Sequence, residues 1–268
     1  MGGDPIEPKK RRLRQLPRVI PVRSLAPTVL TVLALCSGVT AIRFAIMADW
    51  QMAAVAILMA GLFDSLDGRV ARMIKGTSRF GAEMDSLSDV ICFGVSPALV
   101  LYFWSLDQLG GIGWAVSLLY CVCCALRLAR FNILDRDAKE SGEVQKHFVG
   151  IPAPGAAGLL LLPLYASLAL EGLEFQPVLI AIYMVILALL MISQVPTYSF
   201  KYVRIERSYV VPILVGVVVF VGLLTSFFWW TIIFIGMIYM VSIFVSAVRA
   251  FRNRHNAASE SVEDTDLS

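Results

Sequence analysis

The stretch that decides the fold runs from residue 64 to residue 89 and reads Asp64-Ser-Leu-Asp67-Gly-Arg-Val-Ala-Arg-Met-Ile-Lys-Gly-Thr-Ser-Arg-Phe-Gly-Ala-Glu-Met-Asp85-Ser-Leu-Ser-Asp89. Long apolar stretches lie on both sides of it, so its four aspartates are expected in a membrane or at its edge. A carboxylate inside a membrane helix costs about 2.5–3.5 kcal/mol on insertion scales. Four clustered acids therefore indicate a segment that binds something cationic, and a metal site is the first hypothesis.

The composition predicts an all-α, polytopic membrane helix bundle. The chain has 268 residues, of which 58% are hydrophobic and 16% charged, and its mean hydropathy is +0.75. These values exclude an ordinary soluble domain. A transmembrane helix needs about 20 predominantly apolar residues. About eight transmembrane helices are predicted, near residues 25–47, 50–74, 84–106, 111–134, 151–172, 176–198, 209–226 and 228–249.

The basic residues predict the orientation of these helices. With the N-terminus inside, 22 of the 23 Lys and Arg residues fall on inner segments, and only Arg43 lies toward the far side. The outer turns carry acids instead, namely Asp49, Asp107, Glu171 and Glu174. This bias predicts a multi-pass protein of the cytoplasmic membrane with both termini in the cytosol. The four aspartates would then face the cytosol, at the ends of the second and third helices.

Three regions are expected along the chain. Residues 1–24 form a basic arm, which is expected to lie on the cytosolic membrane surface against anionic lipid headgroups rather than to bind nucleic acid. Residues 25–249 form the transmembrane domain that would hold the active site. Residues 250–268 form a polar, acidic cytosolic tail, which is predicted to be disordered.

Helical spacing predicts how the four acids meet. Residues three and four apart share a helical face, so Asp64 pairs with Asp67 on one helix and Asp85 pairs with Asp89 on the next. Two antiparallel helices joined by a short loop can bring both pairs together. Ligands that are all oxygen suit Mg²⁺, Mn²⁺ or Ca²⁺, whereas zinc favours His or Cys. Four carboxylates are enough for two ions with a shared ligand.

Small and basic residues surround the acids. The small ones would let a flat group approach the helix backbones, and they are Gly68, Ala71 and Gly81. The side chains that can bind phosphate are Arg72, Ser78 and Arg79. Acids that hold metal ions, a slot opened by glycines and nearby phosphate donors together suit a nucleotide diphosphate.

The segment Asp64-x-x-Asp67-Gly68-x-x-Ala71-Arg72, eight residues, Gly81-x-x-x-Asp85-x-x-x-Asp89 resembles the signature of the CDP-alcohol phosphotransferase family at every fixed position. This resemblance implies a homodimeric integral membrane enzyme with a six-helix catalytic core, here with two further helices. Such an enzyme transfers the phosphoalcohol part of a CDP-linked lipid or alcohol onto a hydroxyl and releases CMP.

The resemblance also implies a role for each matching residue. Two divalent cations, Mg²⁺ or Mn²⁺, would be bound by Asp64, Asp67, Asp85 and Asp89. Of these, Asp89 would also be the catalytic proton acceptor. The CDP-lipid would be contacted by Asp64, Gly68, Ala71, Arg72, Ser78 and Gly81, with Ala71 and Gly81 lining the cytidine slot.

Three segments, 85–98, 125–132 and 148–157, resemble the phosphatidylserine synthase branch of this family. That branch uses CDP-diacylglycerol and L-serine. Arg127 and Arg130 lie three apart, so they could share a helical face and hold the serine carboxylate. They could equally anchor the helix end at the membrane interface or bind lipid phosphate. Asn132 is a weaker acceptor candidate.

Two other functions compete with this interpretation. An enzyme of the same family could use glycerol 3-phosphate, inositol phosphate or choline as the acceptor. A cation-coupled transporter could use the acids as its ion site, but the chain has no evident internal repeat, and transport does not require the spacing of Gly, Ala and Arg.

A further motif, Cys121-x-x-Cys124, lies in an apolar span and is interpreted as a pair of packing residues rather than as a zinc or redox site.

Overall fold

The computed structural model describes residues 25–74, 79–141, 151–170, 172–193 and 210–246. These ranges contain ten α-helices and no strand, in agreement with the all-α prediction. The helices are α1 (Leu25–Ile46), α2 (Trp50–Ile74), α3 (Arg79–Asp89), α4 (Ser96–Trp104), α5 (Gly111–Ser141), α6 (Ala153–Leu160), α7 (Leu162–Ala169), α8 (Pro177–Ile192), α9 (Val210–Ser226) and α10 (Phe228–Ser246). The predicted basic arm and acidic tail lie outside the described residues.

Several helices are long and apolar enough to cross a membrane, so the predicted membrane character is confirmed. Four described stretches meet both conditions: Leu25–Ile46, Phe80–Trp104, Gly111–Leu134 and Phe228–Ser246. Three shorter apolar helices accompany them: Ala153–Ala169, Pro177–Ile192 and Pro212–Ser226. Helix α2 is 25 residues long, but its second half carries two aspartates and two arginines. The number of crossings therefore stays a prediction.

The third predicted span contains a change of helical pitch. A π-helical stretch, Val90–Val95, follows Asp89 directly and joins α3 to α4 without a break in the helix. Such stretches are frequent at functional sites. The extra residue in a π-helical turn changes the direction in which the neighbouring side chains point. The helical segment also begins at Arg79, before the predicted start near residue 84.

Two other helices differ from their predicted bounds. Helix α5 continues to Ser141, past the end predicted at residue 134. The span predicted over 151–172 is interrupted at Leu161, which separates α6 from α7. Pro163 lies in the first turn of α7, where a residue without an N–H is tolerated. In the interior of a continuous helix the same proline would remove a backbone hydrogen bond, so α6 does not run on through it. Pro152 occupies the N-cap position of α6.

Small residues allow the helices to pack closely. The α1–α2 pair buries a series of alanines, namely Ala34, Ala41, Ala45, Ala53, Ala54 and Ala60. A Cβ added at Gly38 would lie 2.9 Å from Cys92 Sγ, and one added at Gly94 would lie 3.2 Å from Cys124 Cβ. Membrane helices pack in this way because lipid supplies no hydrophobic force between them. The buried Cys124 is thus a packing residue, in line with the interpretation of the Cys-x-x-Cys motif.

Candidate active site

Three carboxylates converge between α2 and α3. Asp64 and Asp67 come from α2 and Asp85 comes from α3, and one carboxylate oxygen of each lies within 4.8 Å of the other two. Asp67 is the most enclosed, with 5% of its surface exposed. Carboxylates repel one another at this range unless a cation or a proton lies between them. The cluster therefore has the donor atoms and the spacing that a hard divalent cation requires.

Asp89 stands at the edge of this cluster. Its side chain is in hydrogen-bond contact with that of Asp64. Its other oxygen, Oδ1, is buried and has no hydrogen-bond partner in the part of the chain that the structure describes. A buried acceptor without a partner is costly, so it indicates a ligand or a chemical role. Asp89 therefore offers one free acceptor atom beside the three clustered carboxylates.

Thr31 of α1 fixes the orientation of Asp67. Its Oγ1 donates a hydrogen bond of 2.7 Å to Asp67 Oδ2, and both groups are buried. Ser88 Oγ in turn donates to the Thr31 carbonyl oxygen at 3.3 Å. Sequence reasoning missed Thr31, because a single hydroxyl in an apolar helix is ordinary and its partner lies on another helix. No local spacing could have revealed this contact.

The predicted CDP-lipid residues lie along the open side of α2 and α3. A Cβ added at Gly68 would meet no described atom within 4 Å, so the backbone there is accessible. Arg72 is exposed, and its Nε donates to the Gly68 carbonyl oxygen at 2.9 Å. Ala71 and Gly81 are half-buried on α2 and α3. Ser78 and the side chain of Arg79 lie outside the described part of the structure.

The three acceptor candidates have different surroundings. Arg127 is half-buried and interacts electrostatically with Asp89, and among the described residues its buried Nε has no hydrogen-bond partner. Arg130 is exposed. Asn132 Nδ2 donates to Ser86 Oγ at 2.9 Å and so ties α5 to α3. Residues three apart on a helix differ by about 60° in direction, which is why, of the two arginines, only Arg127 is partly buried.

The comparison with protein families covers the whole of this site. Residues 24–200 match the family described as CDP-alcohol phosphatidyltransferase, and this range includes all four aspartates and Arg127. The chain belongs to this family. The resemblance inferred from the spacing of the aspartates, glycines and arginine is therefore confirmed.

Individual relatives come from bacteria and archaea. A CDP-diacylglycerol–serine O-phosphatidyltransferase of Mycobacterium tuberculosis is 39% identical over 194 residues, which are 71% of this chain and 66% of that protein. One of Helicobacter pylori is 38% identical over 181 residues, 67% of this chain and 74% of the relative. An archaetidylserine synthase of Methanothermobacter thermautotrophicus is 37% identical over 185 residues, 67% and 70% respectively. The chain spans just under two thirds of the length of the mycobacterial relative.

Proposed function

We propose that this chain is a CDP-diacylglycerol–serine O-phosphatidyltransferase. It would transfer the phosphatidyl group of CDP-diacylglycerol to the hydroxyl of L-serine, giving phosphatidylserine and CMP. The observation that carries this proposal is the arrangement of three clustered carboxylates with the free Asp89 Oδ1 beside them and with Arg127 in electrostatic interaction with Asp89. The names of the relatives support the same choice of donor and acceptor.

The donor set fits two divalent cations, Mg²⁺ or Mn²⁺, held by Asp64, Asp67, Asp85 and Asp89. All the donor atoms are hard oxygens, and one from each of Asp64, Asp67 and Asp85 lies within 4.8 Å of the other two. When bound, such ions neutralise the charge on the pyrophosphate and on the departing CMP.

Residues of the chain itself would accept the proton and bind the substrates. The serine hydroxyl oxygen forms a bond to the phosphorus of the phosphatidyl group, and the bond from that phosphorus to the CMP oxygen breaks, with its electron pair leaving on CMP. Asp89 Oδ1 accepts the hydroxyl proton. Gly68 leaves room for the nucleotide against α2, and Arg72 and Ser78 contact the CDP-lipid. Ala71 and Gly81 line the cytidine slot.

The setting of this chemistry is also proposed. Eight crossings would place both termini and the active site on the cytosolic side of the cytoplasmic membrane. The acceptor and CMP, which are water-soluble, would then enter and leave the site from the cytosol. Residues 1–24 would lie on the lipid surface, 25–249 would form the transmembrane catalytic domain, and 250–268 would form a cytosolic tail. The basic inner segments support this orientation. The family implies a homodimer.

Release of CMP from CDP-diacylglycerol, with and without serine, tests the proposal. The Asp89→Asn variant keeps the shape of the side chain but loses the proton acceptor, so turnover should fall by about 10²–10⁴-fold while binding of CDP-diacylglycerol is largely retained. Asp107→Asn, at an exposed site on the turn before α5, is the matched control and should keep wild-type rates. A near-normal rate in Asp89→Asn would show that the assigned base is wrong.

The same assay separates the alternative acceptors. Glycerol 3-phosphate, inositol phosphate and choline are each offered in place of serine. CMP release that depends on one of them and not on serine would keep the family chemistry but overturn the choice of acceptor.

A further inference from the structure

We propose that Tyr239 of α10 joins Arg127 of α5 to form the subsite for the carboxylate of the acceptor amino acid. This inference rests on the proposed function and names a residue that determines its specificity. The sequence offers no hint of it, since Tyr239 lies in an apolar helix more than a hundred residues after Arg127. It also lies outside residues 24–200, the range that matches the family.

Tyr239 reaches the site across a glycine of α6. A Cβ added at Gly155 would lie 2.6 Å from Tyr239 Oη and 2.7 Å from Tyr239 Cε1, so only a glycine leaves room for the phenol. Helix α6 itself packs against α5 and against the π-helical stretch that follows Asp89. Tyr239 is therefore brought to the side of the site where α5 and the end of α3 meet.

Arg127 is held at the same place by the face of α5 that precedes it. Two residues of that face fix α5 against the π-helical stretch: Tyr120 Oη donates to the Phe93 carbonyl oxygen at 3.4 Å, and Cys124 packs on Gly94. Arg127 follows one turn later on this face and interacts electrostatically with both Asp89 and Tyr239. The helix packing thus sets the point from which the Arg127 side chain leaves α5.

The two side chains present unpaired donors. Tyr239 Oη and Arg127 Nε are both buried, and neither has a hydrogen-bond partner within the described residues. Burying a donor without a partner is unfavourable, so two such donors on side chains that interact electrostatically indicate an acceptor that arrives with a ligand. A guanidinium group has only N–H donors, and a phenol hydroxyl can also donate. Two donors, one of them cationic, match a carboxylate.

The proximity of Arg127 to Asp89 favours the acceptor's carboxylate over a phosphate of the CDP-lipid as the group that these donors bind. In serine, two carbon atoms separate the hydroxyl oxygen from the carboxyl carbon. The carboxylate must therefore bind close to the atom that accepts the hydroxyl proton, and Arg127 interacts electrostatically with Asp89. The CDP-lipid residues Gly68 and Arg72 lie instead on the open side of α2.

Steady-state kinetics of Tyr239→Phe test the inference. This change removes only the hydroxyl, so the KM for serine should rise roughly 10- to 100-fold, the effect of losing one hydrogen bond to a charged group. The kcat and the KM for CDP-diacylglycerol should stay within about twofold of wild type. Tyr165→Phe is the matched control, because Tyr165 also has a buried hydroxyl with no described partner, but its ring stacks on Trp229. It should leave the KM for serine unchanged.

Ethanolamine, which is serine without the carboxylate, provides a second readout. Wild-type enzyme should prefer serine strongly, and Tyr239→Phe should lose much of that preference without a change in the weak reaction with ethanolamine.

A second pair of variants changes the space available to the Tyr239 ring and leaves its hydroxyl in place. Gly155→Ala should displace Tyr239 and raise the KM for serine, whereas Gly158→Ala, whose Cβ would meet no described atom within 4 Å, should not.

The possible outcomes separate this inference from the proposed function. If wild-type protein releases no CMP with serine, the proposed function fails. If it does, but folded Tyr239→Phe keeps the wild-type KM for serine, the carboxylate subsite is overturned. The subsite is also overturned if Tyr239→Phe changes kcat or the KM for CDP-diacylglycerol and leaves the KM for serine unchanged. The melting temperature in detergent shows that each variant is folded.

Discussion

The four aspartates share one chemistry, but their surroundings divide their roles. Asp67 is almost fully enclosed and accepts a hydrogen bond from Thr31, so its orientation is fixed before any cation arrives. Asp89 keeps one buried oxygen without a partner among the described residues. A carboxylate whose orientation is fixed, such as that of Asp67, is suited to bind a metal ion throughout the reaction. A carboxylate with an unpaired oxygen, such as that of Asp89, is suited to accept a proton. Outer hydrogen bonds of this kind orient metal ligands, and their loss typically lowers metal affinity roughly 10- to 100-fold.

Thr31→Val should weaken cation binding. Valine has nearly the shape of threonine but cannot donate to Asp67 Oδ2, so the affinity for Mn²⁺ should fall roughly 10- to 100-fold. Isothermal titration of the purified protein with Mn²⁺ measures this. The control is Thr40→Val, since Thr40 Oγ1 is exposed and donates to the Cys36 carbonyl oxygen within its own helix. Equal affinities in the two variants would refute the role of Thr31.

At the scale of the elements, the junction between α1 and the π-helical stretch holds the site together. Cys92 Sγ donates to the Ala34 carbonyl oxygen at 3.3 Å, and Ser88 reaches the Thr31 carbonyl oxygen. Gly38 permits this approach, because an added Cβ would lie 3.2 Å from Cys92 Cα as well as 2.9 Å from its Sγ. A backbone atom cannot move aside as a flexible side chain can, so this contact fixes the spacing of the two helices.

Gly38→Ala should push α1 away from this junction. Overpacking of this kind typically destabilises a protein by about 1–3 kcal/mol, and the shift of Thr31 should weaken cation binding as well. Thermal unfolding in detergent, with and without Mn²⁺, measures both effects. Gly216→Ala in α9 is the control, because its Cβ would meet no described atom within 4 Å. There alanine is the better helix former, by up to about 1 kcal/mol, so the melting temperature should stay the same or rise.

At the scale of the whole molecule, apolar and polar residues are arranged for lipid rather than water. Large hydrophobic side chains are exposed along α1, α5, α8 and α9, and from Pro212 to Leu223 every residue of α9 is exposed. Between the helices lie small residues and the aspartate cluster. In a bilayer this exposed surface meets acyl chains, and the buried polar groups satisfy one another or bind a ligand.

The charge bias predicts that both termini lie on the cytosolic side. Reporter fusions in a bacterial host measure this: green fluorescent protein after Ser268 should fluoresce, and alkaline phosphatase inserted in the turn at Asp107 should be active. The expected pattern follows from the 22 basic residues on the inner segments. The control is phosphatase inserted at Lys75, between α2 and α3, which should be inactive. A Ser268 fusion that reaches the membrane but does not fluoresce would contradict a cytosolic C-terminus.

Local patterns determined most of the helices and the pairing of the acids. Apolar runs predicted α1, α2 and α10 to within a few residues, because the length of a membrane helix is set by the bilayer. The spacing of Asp64 with Asp67 and of Asp85 with Asp89 predicted two facing pairs, because helical periodicity is local. The break at Leu161 was missed, since the apolar run continues through it and only the packing of α6 and α7 decides how a proline is accommodated.

The tertiary structure alone decided which residues complete the site. Thr31 meets Asp67 across 36 positions of sequence, and Gly155 leaves the room in which Tyr239 of α10 approaches α6. It also separated Arg127 from Arg130, which the sequence treated as a pair. These contacts depend on how helices rotate and approach one another, which follows from the packing of many side chains at once. A sequence motif shows which functional groups its own segment provides. The residues from other helices that surround that segment are determined only when the helices pack together.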